Sequence, residues 1–217
     1  METVLIGGTL IDGTGREPLA RAGVVVKESK VQRVGPVDRL SYGRDARVVD
    51  VAGLTIMPGL IDSHTHLTYH GDQPNVWQLD LEESVELNTL KAARNAAHIL
   101  HTGFTAIGDG GCRGLIGPAI RDGVAKGIIP GPHIVAAGPI LTGSAGLLDS
   151  MPAWVRMESD HALGMTVNGV DEVRRRARAG QGRRRLDQGL RKRRCRLALC
   201  HRRDRGPQRR RNRCGGV

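Results

Sequence analysis

The chain has 217 residues, 39% of them apolar and 2% aromatic, with a net charge of +11; that is enough for one large domain or two small ones. The charge is unevenly divided: residues 1–173 carry 14 Lys and Arg against 20 Asp and Glu, and residues 174–217 carry 19 against 2. No apolar run reaches the roughly 18 residues of a membrane span, METVLIGG lacks the regions of a secretory signal, and one Cys before residue 174 argues against a disulfide framework, so a cytoplasmic protein is expected.

Residues 1–57 read as short strands. VLIGGTLIDG, GVVVKESKVQRVG and ARVVDVAGLTIMPG are rich in β-branched residues and punctuated by Gly, which predicts a small antiparallel β unit. After Pro58 the pattern changes. Leu60–Leu67 is expected as a strand and Leu81–His101 as a helix, with Leu90, Ala93, Ala97 and Leu100 on one face and Thr102-Gly103 as its stop. A strand over Phe104–Gly108, a helix near Pro118–Lys126 and a strand over Ile134–Ala137 follow, which is the βαβ rhythm of a parallel α/β domain. Residues 138–173 read as a long loop leading into a helix at Val170-Asp171-Glu172-Val173.

The chemical signal lies in Met57-Pro58-Gly59-Leu60-Ile61-Asp62-Ser63-His64-Thr65-His66-Leu67. On a strand, side chains two apart share a face, so His64 and His66 present two imidazoles together while Thr65 points away. Neutral imidazole suits Zn and related divalent metals. An isolated His-x-His is more often two satisfied polar groups than a ligand pair. Here it closes a strand that opens a βαβ series, where parallel barrels carry their chemistry. Tyr69 and His70 follow the pair and are candidates for lining a substrate mouth. His98 and His101 suit the C-terminal end of a helix as imidazolium. The Gly108–Gly114 stretch does not have G-x-G-x-x-G spacing, and Cys112 is expected to serve packing or loop structure.

PGLIDSHTHL resembles the metal-binding motif of the amidohydrolase superfamily. GGTLIDGTG and VVDVAGLTIMPG resemble the β-sandwich portion that precedes the barrel in that family. HTGFTAIGDGG resembles its second barrel strand, GIIPGPHIVAAGPILTG its third, and NGVDEVRR the helix before its fourth. The nearest branch is that of imidazolonepropionase-like and metal-dependent dipeptidase-like enzymes, although Gly108 and His133 stand where that branch often has Arg. The resemblance covers about residues 3–175. It implies an α/β fold: part of a small β-sandwich over residues 1–57, then a partial (β/α)8 TIM-like barrel over 58–175. It also implies a divalent metal, Zn first, as one or two ions. His64 and His66 would be ligands, and the substrate a small amide, cyclic amide or dipeptide hydrolysed at its C–N bond. The further ligands the family uses (a carboxylated Lys, two His and an Asp from later strands) have no counterpart here, and a barrel takes roughly 250 residues. No catalytic residue is therefore assigned, and the chain as written is expected to be inactive.

Residues 176–217 differ in kind. From residue 174 onward there are 18 Arg and one Lys, and no Phe, Tyr, Trp or Ile. So polar a segment buries little apolar surface, and a disordered basic tail is expected. Shifted by one base and given GC-rich codons, RARAGQGRRRLDQGLRKR can be read as ARAQVKAGADWIKVYASG, which resembles the family's next helix and fourth strand; the tail thus reads as an out-of-frame extension. The alternative function is a basic nucleic-acid-binding protein using the Arg-rich tail, which would hold phosphate nonspecifically. Cys195, Cys200, His201 and Cys214 match no common zinc spacing.

Overall fold

In the computed structural model, residues 1–69, 71, 81–149, 154 and 162–176 are described, together with the backbone of 197–200. The chain begins with three consecutive antiparallel strands: β1 (Glu2–Leu10), β2 (Leu19–Lys27) and β3 (Lys30–Pro36). A single 3-10 turn over Val37–Arg39 follows. The chain then returns to the free edge of β1. There β4 (Arg47–Asp50) runs parallel to Thr3–Ile6, and β5 (Thr55–Pro58) runs parallel to Thr9-Leu10.

The first unit is therefore a mixed sheet, not the antiparallel one expected. The cause is the long connection over residues 37–46, which brings the chain back to the start of β1 and forces β4 to run in the same direction. A short turn, with Leu54 N donating to Val51 O at 3.0 Å, then lets β5 continue along the same edge. Leu5, Leu10, Ala22, Val24, Val51 and Ile56 form the core of this sheet. Val4 and Val25, paired across the strands, are fully buried on the opposite face.

The second unit is parallel. β6 (Leu60–Thr65), β7 (Phe104–Asp109) and β8 (His133–Ala136) form a sheet in chain order. They are joined by α1 (Val85–His101) and α2 (Ile116–Ala125). All five elements lie within a few residues of their expected positions. The side chain of Ser84 caps α1 by accepting from Leu87 N at 3.2 Å. The buried face of α1 is not the expected one: Leu90 is exposed, and Asn88, Ala92 and Ala96 face inward. Small Ala side chains let the helix axis approach the sheet closely, and Ile107, Ile116, Ile120 and Ile134 fill the layer between.

Within the segment expected as a loop, β9 (Ile140–Thr142) and β10 (Gly164–Thr166) pair in parallel, and residues 170–176 are helical. Among the described residues of the tail, Leu197–Cys200 depart from the expected disorder. β11 (Leu197–Cys200) pairs antiparallel with β5. The tail's overall composition conceals the short apolar run Leu197-Ala198-Leu199-Cys200, and the outer edge of β5 offers unpaired backbone groups to it. Residues 177–196 and 201–217 lie outside the described residues. Among the described residues, no helix is long and apolar enough to cross a membrane.

Candidate metal centre

The site gathers where three parallel strands end. His64 lies on the last turn of the pleat in β6 and His66 just beyond it. Their rings come together as the alternation requires, with centroids 5.2 Å apart and planes nearly perpendicular. His64 is exposed and His66 half-buried. Local bonds hold the turn: His64 N donates to Asp62 Oδ1 at 3.0 Å, and Gly110 N donates to Thr65 O at 2.8 Å.

His66 is the more tightly held of the two. Its Nδ1 lies 2.8 Å from Gly111 O. A carbonyl can only accept, so Nδ1 carries the proton and the lone pair of Nε2 is left for another partner. The ring of Tyr69 stacks on that of His66, with centroids 4.5 Å apart. Tyr69 therefore stands beside the histidine pair, while His70 lies outside the described residues.

Helix α1 secures the segment that follows β6. Asn95 Nδ2 donates to Leu67 O at 3.0 Å and to Tyr69 O at 3.2 Å, and Asn88 Nδ2 donates to Thr68 O at 3.4 Å. Near the start of α1, Glu83 forms an ion pair with Lys91, and Arg113 Nη1 donates to Glu83 O at 2.6 Å. That bond ties the loop after β7 to the segment entering α1. Asn88 and Asn95 were not singled out from the sequence, because their role depends on which face of α1 turns inward.

Asp109, at the end of β7 and opposite Thr65 across the strands, was not singled out from the sequence. It is 2% exposed, and neither carboxylate oxygen has a hydrogen-bond partner of good geometry among the described residues. Burial pushes its carboxyl up to about 6, while the nearby amides of Gly111 and Leu67 and the His66 ring pull the other way. Cys112 is fully buried behind it; burial pushes its thiol up to about 12, and the Asp109 charge adds to the shift. This thiol serves packing, as expected, and its Sγ accepts from Gly117 N at 3.1 Å. His98 and His101 occupy the last turn of α1. Among the described residues, no group of three or more His, Cys, Asp or Glu is placed to hold a metal.

No family model matches the chain. It is 41% identical over 71 residues to an imidazolonepropionase from Rhizobium rhizogenes, covering 32% of this chain and 17% of that one. It is 28% identical over 150 residues to a 5-methylthioadenosine/S-adenosylhomocysteine deaminase from Symbiobacterium thermophilum, covering 59% of this chain and 34% of that one. Among solved structures, a prolidase complexed with N-methylphosphonate-L-proline superposes on 84% of this chain with a TM-score of 0.71 and 25% identity. An amidohydrolase superposes equally well, at 27% identity. The chain is related to the amidohydrolases. It spans 44% of the length of these two structures and smaller shares of the two curated relatives.

Proposed function

We propose that residues 58–175 form the first part of the (β/α)8 barrel of a metal-dependent amidohydrolase, preceded by its N-terminal β portion over residues 1–57. The reaction of the complete enzyme would be hydrolysis of the C–N bond of a small amide, cyclic amide or dipeptide. One observation carries this reading: two imidazoles 5.2 Å apart at the C-terminal end of a parallel strand, one of them with Nε2 left open by its Nδ1 bond to Gly111 O. The names of the relatives, among them a D-aminoacylase from Alcaligenes xylosoxydans xylosoxydans, agree with hydrolytic chemistry at such bonds.

The donor set fits a divalent metal, with Zn the first candidate, as two ligands of a larger set. His64 and His66 would hold the ion through ring nitrogens. Gly111 O would fix the tautomer of His66, as outer-shell carbonyls do for metal-bound imidazole. When bound, the metal would supply a water of lowered pKa and polarise the scissile carbonyl. Tyr69, stacked on His66, and His70 beyond it would border the substrate. Two imidazoles fall short of the three protein ligands of a catalytic zinc. The 217-residue form should therefore bind metal weakly and lack turnover, with residues 176–217 as an out-of-frame extension.

The test measures metal content and turnover on dipeptides, N-acyl amino acids and cyclic amides. It compares the 217-residue form with the product read in the neighbouring frame from residue 176. Weak Zn uptake that is lost in His64→Ala and His66→Ala, with turnover only after the frame change, is the expected result. Metal-dependent turnover by the 217-residue form itself would overturn the assignment of an incomplete site, and a stop codon soon after residue 176 in the neighbouring frame would remove the frame-change reading.

A further inference from the structure

The loop after β7 brings the backbone of Gly110 and Gly111 against the two histidines. Gly110 N donates to Thr65 O, the carbonyl between the two imidazoles, and this bond draws the Gly110 backbone under the ring of His64. A Cβ at Gly110 would stand 3.0 Å from His64 Cε1, 3.3 Å from Nδ1 and 3.4 Å from Nε2. Gly110 is not among the residues with positive φ, so a side chain here would crowd the His64 ring and not its own backbone, and the exposed ring would have to give by a few tenths of an ångström. At Gly111 the carbonyl accepts from His66 Nδ1, and a Cβ would meet Ile140 Cγ1 at 2.1 Å. The next residue locks the loop in place: Cys112 N donates to Gly138 O at 3.0 Å, while its buried Sγ accepts from Gly117 N.

We propose that Gly110 and Gly111 are positioning residues for the histidine pair. Gly110 sets the orientation of the His64 ring by leaving room beneath it, and Gly111 sets the tautomer and rotation of His66 through its carbonyl. Cys112 and Gly117 keep that surface at a fixed height relative to β6. The inference rests on the reading of His64 and His66 as metal donors only for its consequence; the ring geometry itself can be examined without metal.

The experiment uses the full 217-residue chain and Gly110→Ala, with Gly111→Ala as a second variant. Side-chain nitrogen NMR of the metal-free proteins reports ring environment and tautomer, Zn titration reports affinity, and thermal denaturation reports folding. The parent should show His66 protonated at Nδ1. Gly110→Ala should move the His64 ring resonances, leave the His66 tautomer in place and leave the melting midpoint unchanged. Its Zn affinity should fall by about 10- to 100-fold, the range for outer-shell changes at metal sites. Where Gly111→Ala folds, it should lose the Nδ1–H preference of His66.

Unchanged His64 resonances in Gly110→Ala, or an Nε2–H tautomer in the parent, would overturn the inference. If the parent takes up no Zn, the metal reading fails, and the ring resonances still decide whether Gly110 and Gly111 position the pair.

Discussion

The first sheet and the parallel unit solve burial differently. Over residues 1–58 the buried residues are apolar: Val4, Val24, Val25, Val51 and Ile56 are at most 1% exposed, and no charged or polar side chain is buried with them. The parallel unit has an equally dry layer around Ile107, Ile120 and Ile134. Yet all the buried polar and charged side chains among the described residues lie between positions 68 and 121: Thr68, Glu83, Asn88, Asp109, Arg113 and Arg121. Five of them, Thr68, Glu83, Asn88, Asp109 and Arg113, lie in or beside the segments that follow β6 and β7, next to His64 and His66, whereas Arg121 lies within α2 and bonds Asp122. Burying such groups costs free energy unless each finds partners. The contrast separates a region built for stability from one where stability is spent on holding loops and rings in place.

The apolar layers of the two regions offer the sharpest way to break this comparison. Ile134→Ala in β8 and Ile56→Ala in β5 should each cost about 2–5 kcal/mol, read from urea denaturation. Amide exchange should show each loss confined to its own sheet. Equal loss of protection in both sheets from either variant would merge the two regions into one cooperative unit.

Asp109 should give the next largest effect. Its folded carboxyl titrates at about 6 against 3.8 for the ordinary group, so the folded state holds this proton more tightly than the unfolded chain does. The stability it contributes is fully present below about pH 4 and is lost as pH rises through about 6, a difference of about 3 kcal/mol. Asp109→Asn should remove this dependence and raise stability at pH 7. Urea midpoints across this range check the sign, and a parent midpoint that rises with pH over the same window would refute it.

A smaller loss, about 1 kcal/mol, is expected from Ser84→Ala, which removes the cap on Leu87 N at the start of α1. Because α1 also holds Leu67, Thr68 and Tyr69 through Asn88 and Asn95, exchange at those amides should rise with it. Smallest of all is Val135→Ala. Its side chain lies next to Ile134 in sequence but on the opposite face, 56% exposed, and the change should stay within about 0.5 kcal/mol. A large loss there would mean that the open face of the parallel sheet is packed like the covered one.

Local periodicity determined much of this protein. Strand and helix patterns from Leu60 to Ala137 were legible because each depends on spacing within a few residues. The His64–His66 juxtaposition was legible for the same reason, since a two-residue repeat puts both rings on one side of any strand. Thr102-Gly103 marked the end of α1, where backbone groups that every helix end leaves unpaired need a stop, while its start was expected at Leu81 and is set by the cap at Ser84.

What the tertiary structure alone decided is non-local. β4 and β5 run parallel to β1 because of where a long connection returns, and β9 pairs with β10 across a separation of more than 20 residues. The inward face of α1 was misread because leucine content favoured Leu90, whereas close approach to the sheet favoured Ala92 and Ala96. Asp109, Gly110 and Gly111 look in sequence like an ordinary glycine-rich turn. Their importance comes from the His64 and His66 rings, more than 40 residues earlier, and no local pattern records a contact that exists only after three strands have been laid side by side.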